Sequence, residues 1–288
     1  PKKFKPVIEA ASMAAKSIFR PISRKYDTLE HAYPKELDLF AAALDGMNDG
    51  GGEVGGAKGS RGAKVSNDGS VKNGSNMASV LNIMTMCYGD VGLLLAIPRQ
   101  GLGNAAIAAV ANDEQLKRFG KVWAAMAITE PGAGSDSAAI ITTAEKDGDD
   151  YILNGEKIFV TAGERADAIV VWASLDKKLG RSAIKSFVVE HGTPGMEVVR
   201  LETKMGIRAS DTATIAFTNC RVPAANLLGT PEIDVKKGFA GVMETFDNTR
   251  PFVAAMAVGC AEAALERTKE LLKDQIHLNY TNPTINCR

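Results

Sequence analysis

The sequence is poor in the residues on which hydrolases and metal-dependent enzymes rely. Its three histidines, His31, His191 and His277, lie far apart in the chain. Neither a hydrolase with a catalytic histidine nor a histidine-rich metal site is therefore indicated. Ser135 lacks the Gly-x-Ser-x-Gly context of a nucleophilic serine, which argues against a serine hydrolase as well.

Cysteine is also scarce, and its spacing limits what the residue does here. The four cysteines are widely separated and form no Cys-x-x-Cys pair. This pattern argues against a zinc ion and indicates a reducing compartment rather than a disulfide framework. Cys87 and Cys260 fall in apolar segments with helical periodicity, so we expect both to be small core residues.

Net charge and long apolar runs are missing too. Thirty-four basic and thirty-four acidic residues cancel, so no overall field would attract nucleic acid. No apolar run approaches the roughly 20 residues that span a bilayer, and no secretion signal is visible at the start. The apolar fraction of 45% and charged fraction of 24% are those of a globular protein with a substantial core.

Helical periodicity dominates both ends of the chain. It marks residues 4–45, 77–95 and 104–111, and a short helix is predicted to begin at Asn112 or Asp113. Residues 46–76 contain ten glycines and few large apolar side chains, which predicts a flexible loop.

A long helix is expected near the end, from about residue 237 to 273, kinked or interrupted at Pro251. Its apolar positions surround most of its circumference. Such a helix should be buried, so we expect it to associate with helical partners.

The middle of the chain predicts seven short strands separated by turns. They cover approximately residues 123–129, 138–146, 151–160, 167–174, 184–190, 196–203 and 212–218. Short strands at this spacing favour a small antiparallel barrel or sandwich, and the chain as a whole is of the α+β class.

Two segments in this region carry residue types suited to a flat redox-active ring. Residues 126–136 run from a strand into a Pro-Gly-x-Gly turn, whose backbone N–H groups are free to face a ligand. Residues 153–163 bring an aromatic, Phe159, within two positions of a hydroxyl, Thr161. Strand alternation places both on one face, although an ordinary hairpin with a core phenylalanine has the same pattern.

These two segments, with residues 205–212 and 246–251, resemble the acyl-CoA dehydrogenase family in order and spacing. The resemblance implies an N-terminal helical domain (1–122), a middle β-barrel domain (123–230) and the first helix of an incomplete C-terminal bundle (231–288). It also implies FAD as cofactor and an acyl-CoA substrate. The expected compartment is the bacterial cytoplasm or the mitochondrial matrix.

The implied reaction is α,β-dehydrogenation of an acyl-CoA thioester. In the family, a carboxylate removes the Cα proton while a hydride leaves Cβ for flavin N5. An electron-transfer flavoprotein or a similar acceptor would then take the electrons, and a homo- or hetero-oligomer is expected.

The resemblance also assigns roles to individual residues. The flavin-contacting positions are Met126, Ile128, Thr129, Ser135, Phe159 and Thr161. Ser135, Asp247 and Arg250 would bind substrate. Structural alternatives remain open: Thr129 as a turn former, Ser135 as a cap, Phe159 in a core and Arg250 in a surface ion pair. Arg208 and Asp211 are expected to form a structural pair.

The catalytic base is not identified by the sequence. Some family members have a glutamate immediately before the helix arginine, where this chain has Thr249. Others carry it in a later region, beyond the last residue here, and neither Glu130 nor Glu244 occupies a family base position. We therefore expect the base to come from outside this chain. The alternatives are a non-catalytic flavin- or acyl-CoA-binding partner subunit and, on weaker grounds, another flavin-dependent oxidation.

Overall fold

The structure is a computed structural model that describes residues 2–49, 74–99, 101–234 and 239–279. Within these ranges the chain combines helices with one curled, half-barrel sheet, so the predicted α+β class is confirmed. No helix among the described residues is long and apolar enough to cross a membrane.

Helices form the first part of the described chain. In order they are a 3-10 turn (Lys2–Phe4), α1 (Lys5–Ala14), a π-helical segment (Ala15–Phe19), α2 (Arg20–Thr28), α3 (Glu36–Asp49), α4 (Gly74–Cys87), α5 (Val91–Leu95), α6 (Leu102–Val110) and α7 (Asp113–Phe119). The helices up to α5 share an apolar cluster that includes Phe19, Leu37 and Leu93, all fully buried. Residues of α6 and α7 belong to a second cluster, which they share with the sheet. Asn112 caps α7 in a reciprocal capping box with Gln115, which confirms one of the two predicted caps.

The helices extend further into the glycine-rich segment than the sequence predicted. α3 continues to Asp49 and α4 begins at Gly74, so helix occupies both ends of the expected loop 46–76. The rest of that prediction, residues 50–73, lies outside the described residues.

All seven predicted strands are present. They are β1 (Ala124–Ala127), β2 (Thr143–Asp147), β3 (Asp150–Thr161), β4 (Ala168–Ser174), β5 (Ile184–Glu190), β6 (Met196–Leu201) and β7 (Thr212–Pro223). β2 begins later than predicted because a 3-10 turn, Ser137–Ala139, occupies the start of the expected range. Further 3-10 turns lie at Lys177–Ala183 and Ala224–Asn226.

The sheet is mixed rather than wholly antiparallel. Its order is β1-β4-β2-β3-β7-β6, with β5 paired to β4, and β1 runs parallel to β4. Every residue of β4 is buried, because apolar clusters cover both of its faces. The uniformly apolar sequence of this strand is typical of such a two-sided position.

A helix of 40 residues, α8 (Ala240–Asn279), follows the sheet and passes through Pro251 without a break in its helical assignment. It contacts α4 and α6. The approach to α4 is close: a Cβ on Gly259 would lie 1.9 Å from the carbonyl oxygen of Met84. Cys260, next to it, is exposed, so its predicted core position is wrong, whereas Cys87 is buried as expected.

Much of the rest of α8 faces outward, although its all-round apolar pattern predicted a buried helix. Val253, Val258 and Leu265 are more than half exposed, at 59%, 54% and 56%. Within the described chain, these apolar side chains of α8 are therefore uncovered.

The N-terminal helices are joined to the sheet by a buried arginine. The Arg165 guanidinium donates to the carbonyl oxygens of His31, Ala32 and Ala209 at 3.1–3.2 Å. It also lies 3.4 Å from the carboxylate of Asp211, and both side chains are less than 10% exposed. The chain between α2 and α3 is thereby tied to the loop before β7.

Arg208 and Asp211 do not pair with each other, which corrects that prediction. Arg208 forms a 2.8 Å ion pair with Glu30, at the end of the first helical run. Glu30 also accepts the backbone N–H of Lys204 at 2.8 Å. Arg208 and Asp211 are three positions apart in sequence, but Arg208 pairs with Glu30 and Asp211 with Arg165.

Candidate functional site

The end of β1 and the turn that follows it form one half of the candidate site. Glu130 and Ala133 close the turn with two backbone hydrogen bonds, of 3.0 and 3.1 Å. A Cβ built on Gly132 or Gly134 would meet no atom of the chain within 4 Å. Neither glycine has a positive φ, so the fold itself does not require glycine at these positions. Because these two residues have no side chain, they leave space that another molecule can approach closely.

The end of β3 forms the other half. The pairing of β3 with β7 shifts register between Lys157 and Val160, where Phe159 adopts a left-handed φ of 58°. The Phe159 side chain is 60% exposed. An exposed aromatic with this backbone is unusual, and such strain is found disproportionately at functional sites.

The bulge also changes an argument made from the sequence. Simple alternation would place Phe159 and Thr161 on one face, but alternation does not hold across a register shift. The premise for their common face therefore fails. Phe159 is not a core residue either, which removes the ordinary-hairpin alternative.

Two more non-glycine residues near the end of β3 have left-handed backbones. Ala162 has a φ of 59° and donates its backbone N–H to the carbonyl oxygen of Asp211 at 3.1 Å. Ile207, in the loop before β7, has a φ of 57° and is 47% exposed. Phe159 and Ala162 thus place two left-handed residues at the end of β3, and Ile207 adds one in the loop before β7, among the six such non-glycine residues of the described chain.

The two halves are in contact through backbone. Ile158 of β3 donates its N–H to the carbonyl oxygen of Thr129 at 2.9 Å. We call residues 126–136 and 157–161 together the β1–β3 cradle. This contact brings Thr129 to the strand that carries Phe159 and Thr161.

A buried ion pair lies beneath the cradle. The Lys157 ammonium is 2.7 Å from Glu130 Oε1, with side-chain exposures of 0% and 2%. Burial lowers the pKa of Lys157 to about 8, although Glu130 opposes that shift. Burial acts to raise the pKa of Glu130, but Lys157 and the donors of Ile141 and Thr142 outweigh it and hold the pKa below its ordinary value.

The remaining predicted cofactor residues differ in exposure. Ile128 is buried at 7% exposure, Met126 and Thr129 are half-buried, and Thr161 is half-buried at the last position of β3. Ser135 is exposed beyond the tight turn. The polar members, Thr129, Ser135 and Thr161, therefore all retain accessible surface.

The predicted substrate residues lie on α8. Arg250 and Asp247 form a 3.3 Å ion pair one turn apart, with side-chain exposures of 61% and 70%. The Arg250 guanidinium also lies 5.3 Å from the centroid of the Phe246 ring. Phe246 and Met126 pack against the same apolar cluster, and α6 contacts both α8 and β1.

Thr249 occupies the position at which some family members have the base. Its hydroxyl donates to the carbonyl oxygen of Thr245 at 3.0 Å, and the residue is 6% exposed. Glu130 is committed to its own buried network, so neither residue is available as a base. Glu244 is exposed on α8.

The burial of Lys157 was not predicted, although the sequence of β3 carries a signal for it. Tyr151, Leu153 and Lys157 alternate along β3 in positions that point into the fold, and all three are buried. A charged residue at an inward position requires a partner. That partner was Glu130, which the sequence analysis considered only as a candidate base.

A separate groove lies outside the cradle. It has a volume of about 560 Å³ and is lined by residues from Asp150 to Pro223, at the start of β3. β3 runs from Asp150 to Thr161, so this groove is at the opposite end of the strand from Phe159. No predicted site residue lines it, and the cradle is instead an open surface.

Comparisons with known proteins match the part of the chain that carries the candidate site. A family model described as acyl-CoA dehydrogenase, middle domain, matches residues 125–220, from β1 into β7. Cyclohex-1-ene-1-carbonyl-CoA dehydrogenase from Geobacter metallireducens is 42% identical over 57% of this chain and 43% of its own length. Acryloyl-CoA reductase (NADH) from Anaerotignum propionicum is 44% identical over 53% of this chain and 38% of its own.

A solved structure extends the likeness beyond the sheet. Butyryl-CoA dehydrogenase from Megasphaera elsdenii is 30% identical, with a TM-score of 0.75 over 93% of this chain and 68% of its own. The chain belongs to the acyl-CoA dehydrogenase family of oxidoreductases, whose members are FAD-binding flavoproteins. It matches less than half the length of the two curated relatives named above.

Proposed function

We propose that this chain takes part in FAD-dependent α,β-dehydrogenation of an acyl-CoA thioester. The observation that carries the proposal is the β1–β3 cradle, with two glycines facing open space beside an exposed, left-handed Phe159. A flat heterocycle fits such a surface because its ring can stack on the aromatic while its edge meets backbone donors.

The residues that would hold FAD are those of the cradle. The backbone from Met126 through Ile128 and the hydroxyl of Thr129 would bind the pyrimidine side of the flavin. Phe159 would stack on the ring, and Thr161 would donate toward N5. Ser135 would lie near the phosphates. When bound, FAD supplies the acceptor for the hydride that leaves Cβ.

The substrate would lie between the cradle and α8. Ser135 and Asp247 would hydrogen-bond the pantetheine arm, and Arg250 would bind the CoA end. Their exposure fits this role, because groups that bind a charged ligand must be accessible before it arrives. The electrons would pass to an electron-transfer flavoprotein or a similar acceptor, in a homo- or hetero-oligomer.

The base would be a carboxylate from outside this chain. Thr249 hydrogen-bonds to its own helix and Glu130 to its own network. The base would remove the Cα proton, and this chain's contribution would be to bind and orient the thioester.

The threonine at the family's base position favours a second candidate, a non-catalytic flavin- or acyl-CoA-binding partner subunit. Thr249 stands where some family members have the base, and its hydroxyl is turned back onto the backbone. Such a subunit would keep the cradle and bind the ligands without turnover.

An anaerobic titration of the purified chain with acyl-CoA, followed by flavin absorbance, separates the candidates. Bleaching of bound flavin supports dehydrogenation. Bound flavin that does not bleach supports the partner-subunit role. A chain that binds no flavin under any condition contradicts both.

A further inference from the structure

We propose that the buried Lys157–Glu130 ion pair is a positioning pair, which holds the turn of the β1–β3 cradle in the shape that binds flavin. The inference rests on the proposed function and extends it to two residues with no assigned role. Neither side chain would touch the ligand; each would act through the backbone that does.

Lys157 joins the end of β1 to β3 through its side chain. Its ammonium donates to the carbonyl oxygen of Ile128 at 3.1 Å and to Glu130 Oε1 at 2.7 Å. The neighbouring residue, Ile158, donates its backbone N–H to Thr129. Two consecutive carbonyl groups of the cradle are therefore held by two consecutive residues of β3.

Glu130 extends the network to a third segment. Its carboxylate accepts the backbone N–H groups of Ile141 and Thr142 at 2.6 and 3.0 Å, and the Thr142 hydroxyl at 2.5 Å. Counting Lys157, four donors surround this one carboxylate. The chain that leaves the turn at Ser135 is thus tied back to the residue that begins it.

The backbone and side chain of Glu130 constrain the turn from two directions. The backbone closes the turn by its two hydrogen bonds with Ala133, around the open glycines Gly132 and Gly134. The side chain anchors the same residue to Lys157 in the interior. Rotation of the turn as a unit would break charged hydrogen bonds, which are the stronger kind.

The surrounding packing accommodates this network closely. Gly155, two residues before Lys157, has a φ of 154°, and a Cβ there would lie 2.3 Å from the Thr142 hydroxyl oxygen. A larger residue would therefore displace the Thr142 hydroxyl from Glu130. The strand sequence is adapted to keep the network in place.

A purely structural pair would stabilise the fold without affecting the cradle, and the chain offers such a pair for comparison. Arg165 and Asp211 are also buried, with exposures of 8% and 1%, but they join the sheet to the N-terminal helices. Removing either cation leaves one buried carboxylate without its charged partner. Lys157→Met and Arg165→Met are therefore matched variants.

The test measures FAD affinity and the visible spectrum of bound flavin for the full chain and both variants, at a temperature where all are folded. We expect Lys157→Met to weaken FAD binding about tenfold or more and to shift the flavin spectrum. Arg165→Met should lower the melting temperature and leave affinity within about twofold. Equal loss of affinity in the two variants would overturn the inference.

Hydrogen exchange provides a readout that needs no flavin. Lys157→Met should lose protection at the backbone amides of Ala133, Ile141 and Thr142, and Arg165→Met should keep it. If the wild-type chain binds no FAD, the proposed function fails, and exchange alone decides whether the pair positions the turn. Unchanged protection at these amides would then refute it.

A milder variant covers the case in which Lys157→Met does not fold. Thr142→Val removes one of the four donors to Glu130 and leaves the charges paired. We expect a loss of FAD affinity of a few fold, about half an order of magnitude, with the same pattern of exchange. Wild-type affinity together with wild-type protection would count against positioning.

Discussion

At the scale of single residues, burial separates the roles of chemically identical groups. The chain has four cysteines, of which three lie in the described residues. Cys87 and Cys220 are buried, and burial raises the pKa of their thiols to about 12 and about 11. Cys260 is exposed on α8. Thiolate formation and access together determine reactivity.

We therefore expect iodoacetamide to alkylate Cys260 in the folded protein at neutral pH, while Cys87 and Cys220 stay unmodified. Mass spectrometry of peptides after timed labelling measures this order. Labelling after denaturation is the control, since all three thiols should then react. Early modification of Cys87 would mean that the contact between α4 and α8 opens readily.

Glu130 gives a residue-scale prediction in acid. Its folded pKa is depressed below 4.5. The stability that its ionised form contributes is therefore present above pH 4.5 and lost as pH falls through the folded value. Glu130→Gln should be less stable than wild type at neutral pH by about 3 kcal/mol, because a buried ion pair is broken.

Urea unfolding from neutral pH down to pH 3 measures both effects. The difference in free energy of unfolding between wild type and Glu130→Gln should narrow in acid. Only the wild type loses the stability that the ionised carboxylate contributes. Glu36→Gln is the comparison on the surface: its carboxylate also has a depressed pKa, of about 2, held by Lys25 and Tyr26. A gap that does not change with pH would argue against an ionised Glu130.

At the scale of elements, some positions need glycine because of the fold, and others would need it because of a ligand. Gly155 lies against Thr142 with a positive φ, whereas Gly134 meets nothing and has an ordinary φ. Gly134 lies in the turn of the cradle, and Gly155 lies on β3 two residues before the cradle's second half. Their substitution should thus have opposite consequences.

We expect Gly134→Ala to keep stability within about 1 kcal/mol and to weaken FAD binding, because its methyl group enters the space proposed for the cofactor. Gly155→Ala should instead lose about 3 kcal/mol of stability through its clash with Thr142. Thermal unfolding and FAD titration measure the two effects. Gly206→Ala, also in open space, is the control for Gly134. Unchanged FAD affinity in Gly134→Ala would contradict the proposed cradle.

The contact between α4 and α8 depends on a single glycine. A methyl group on Gly259 would overlap the Met84 carbonyl, so the helices would have to separate. Gly259→Ala should cost about 2–3 kcal/mol, against at most about 0.5 kcal/mol for Val258→Ala on the exposed side. Chemical denaturation of both variants is the measurement. Equal stabilities would show that α8 is only loosely packed against α4.

At the scale of the whole molecule, α8 presents uncovered apolar side chains among the described residues. Val253, Val258 and Leu265 are each more than half exposed there. We expect the chain to associate through these side chains with helical partners, and light scattering after gel filtration tests it. Val258→Glu combined with Leu265→Glu should reduce association and leave the melting temperature nearly unchanged. A monodisperse wild-type monomer would count against the prediction.

Features that depend on local interactions were predicted correctly, and features that depend on distant segments were not. All seven strands were predicted because alternation and turn signals are local, and β2 was misplaced because a 3-10 turn has no such period. The parallel pairing of β1 with β4 was missed, since alternation does not identify a strand's neighbour. Arg208 and Asp211 were paired by proximity in sequence, but their partners, Glu30 and Arg165, come from distant segments.

The candidate site divides in the same way. Phe159 and Thr161 were selected by residue type and spacing, and Thr129 by the resemblance of its motif to the family, because these motifs are contiguous in the chain. Their roles stay predictions. The bulge that exposes Phe159 could not be derived, because it results from pairing between β3 and β7.

The sequence by itself determined the class of fold, the family and the residues proposed to meet a cofactor, because these depend on patterns within short segments. Only the tertiary structure decided which charges are buried together. Lys157 and Glu130 are 27 positions apart, and nothing local marks them as partners. Their pairing depends on two strand ends being brought together. Water is excluded there, so an unpaired charge would be costly and a paired charge has a well-defined position.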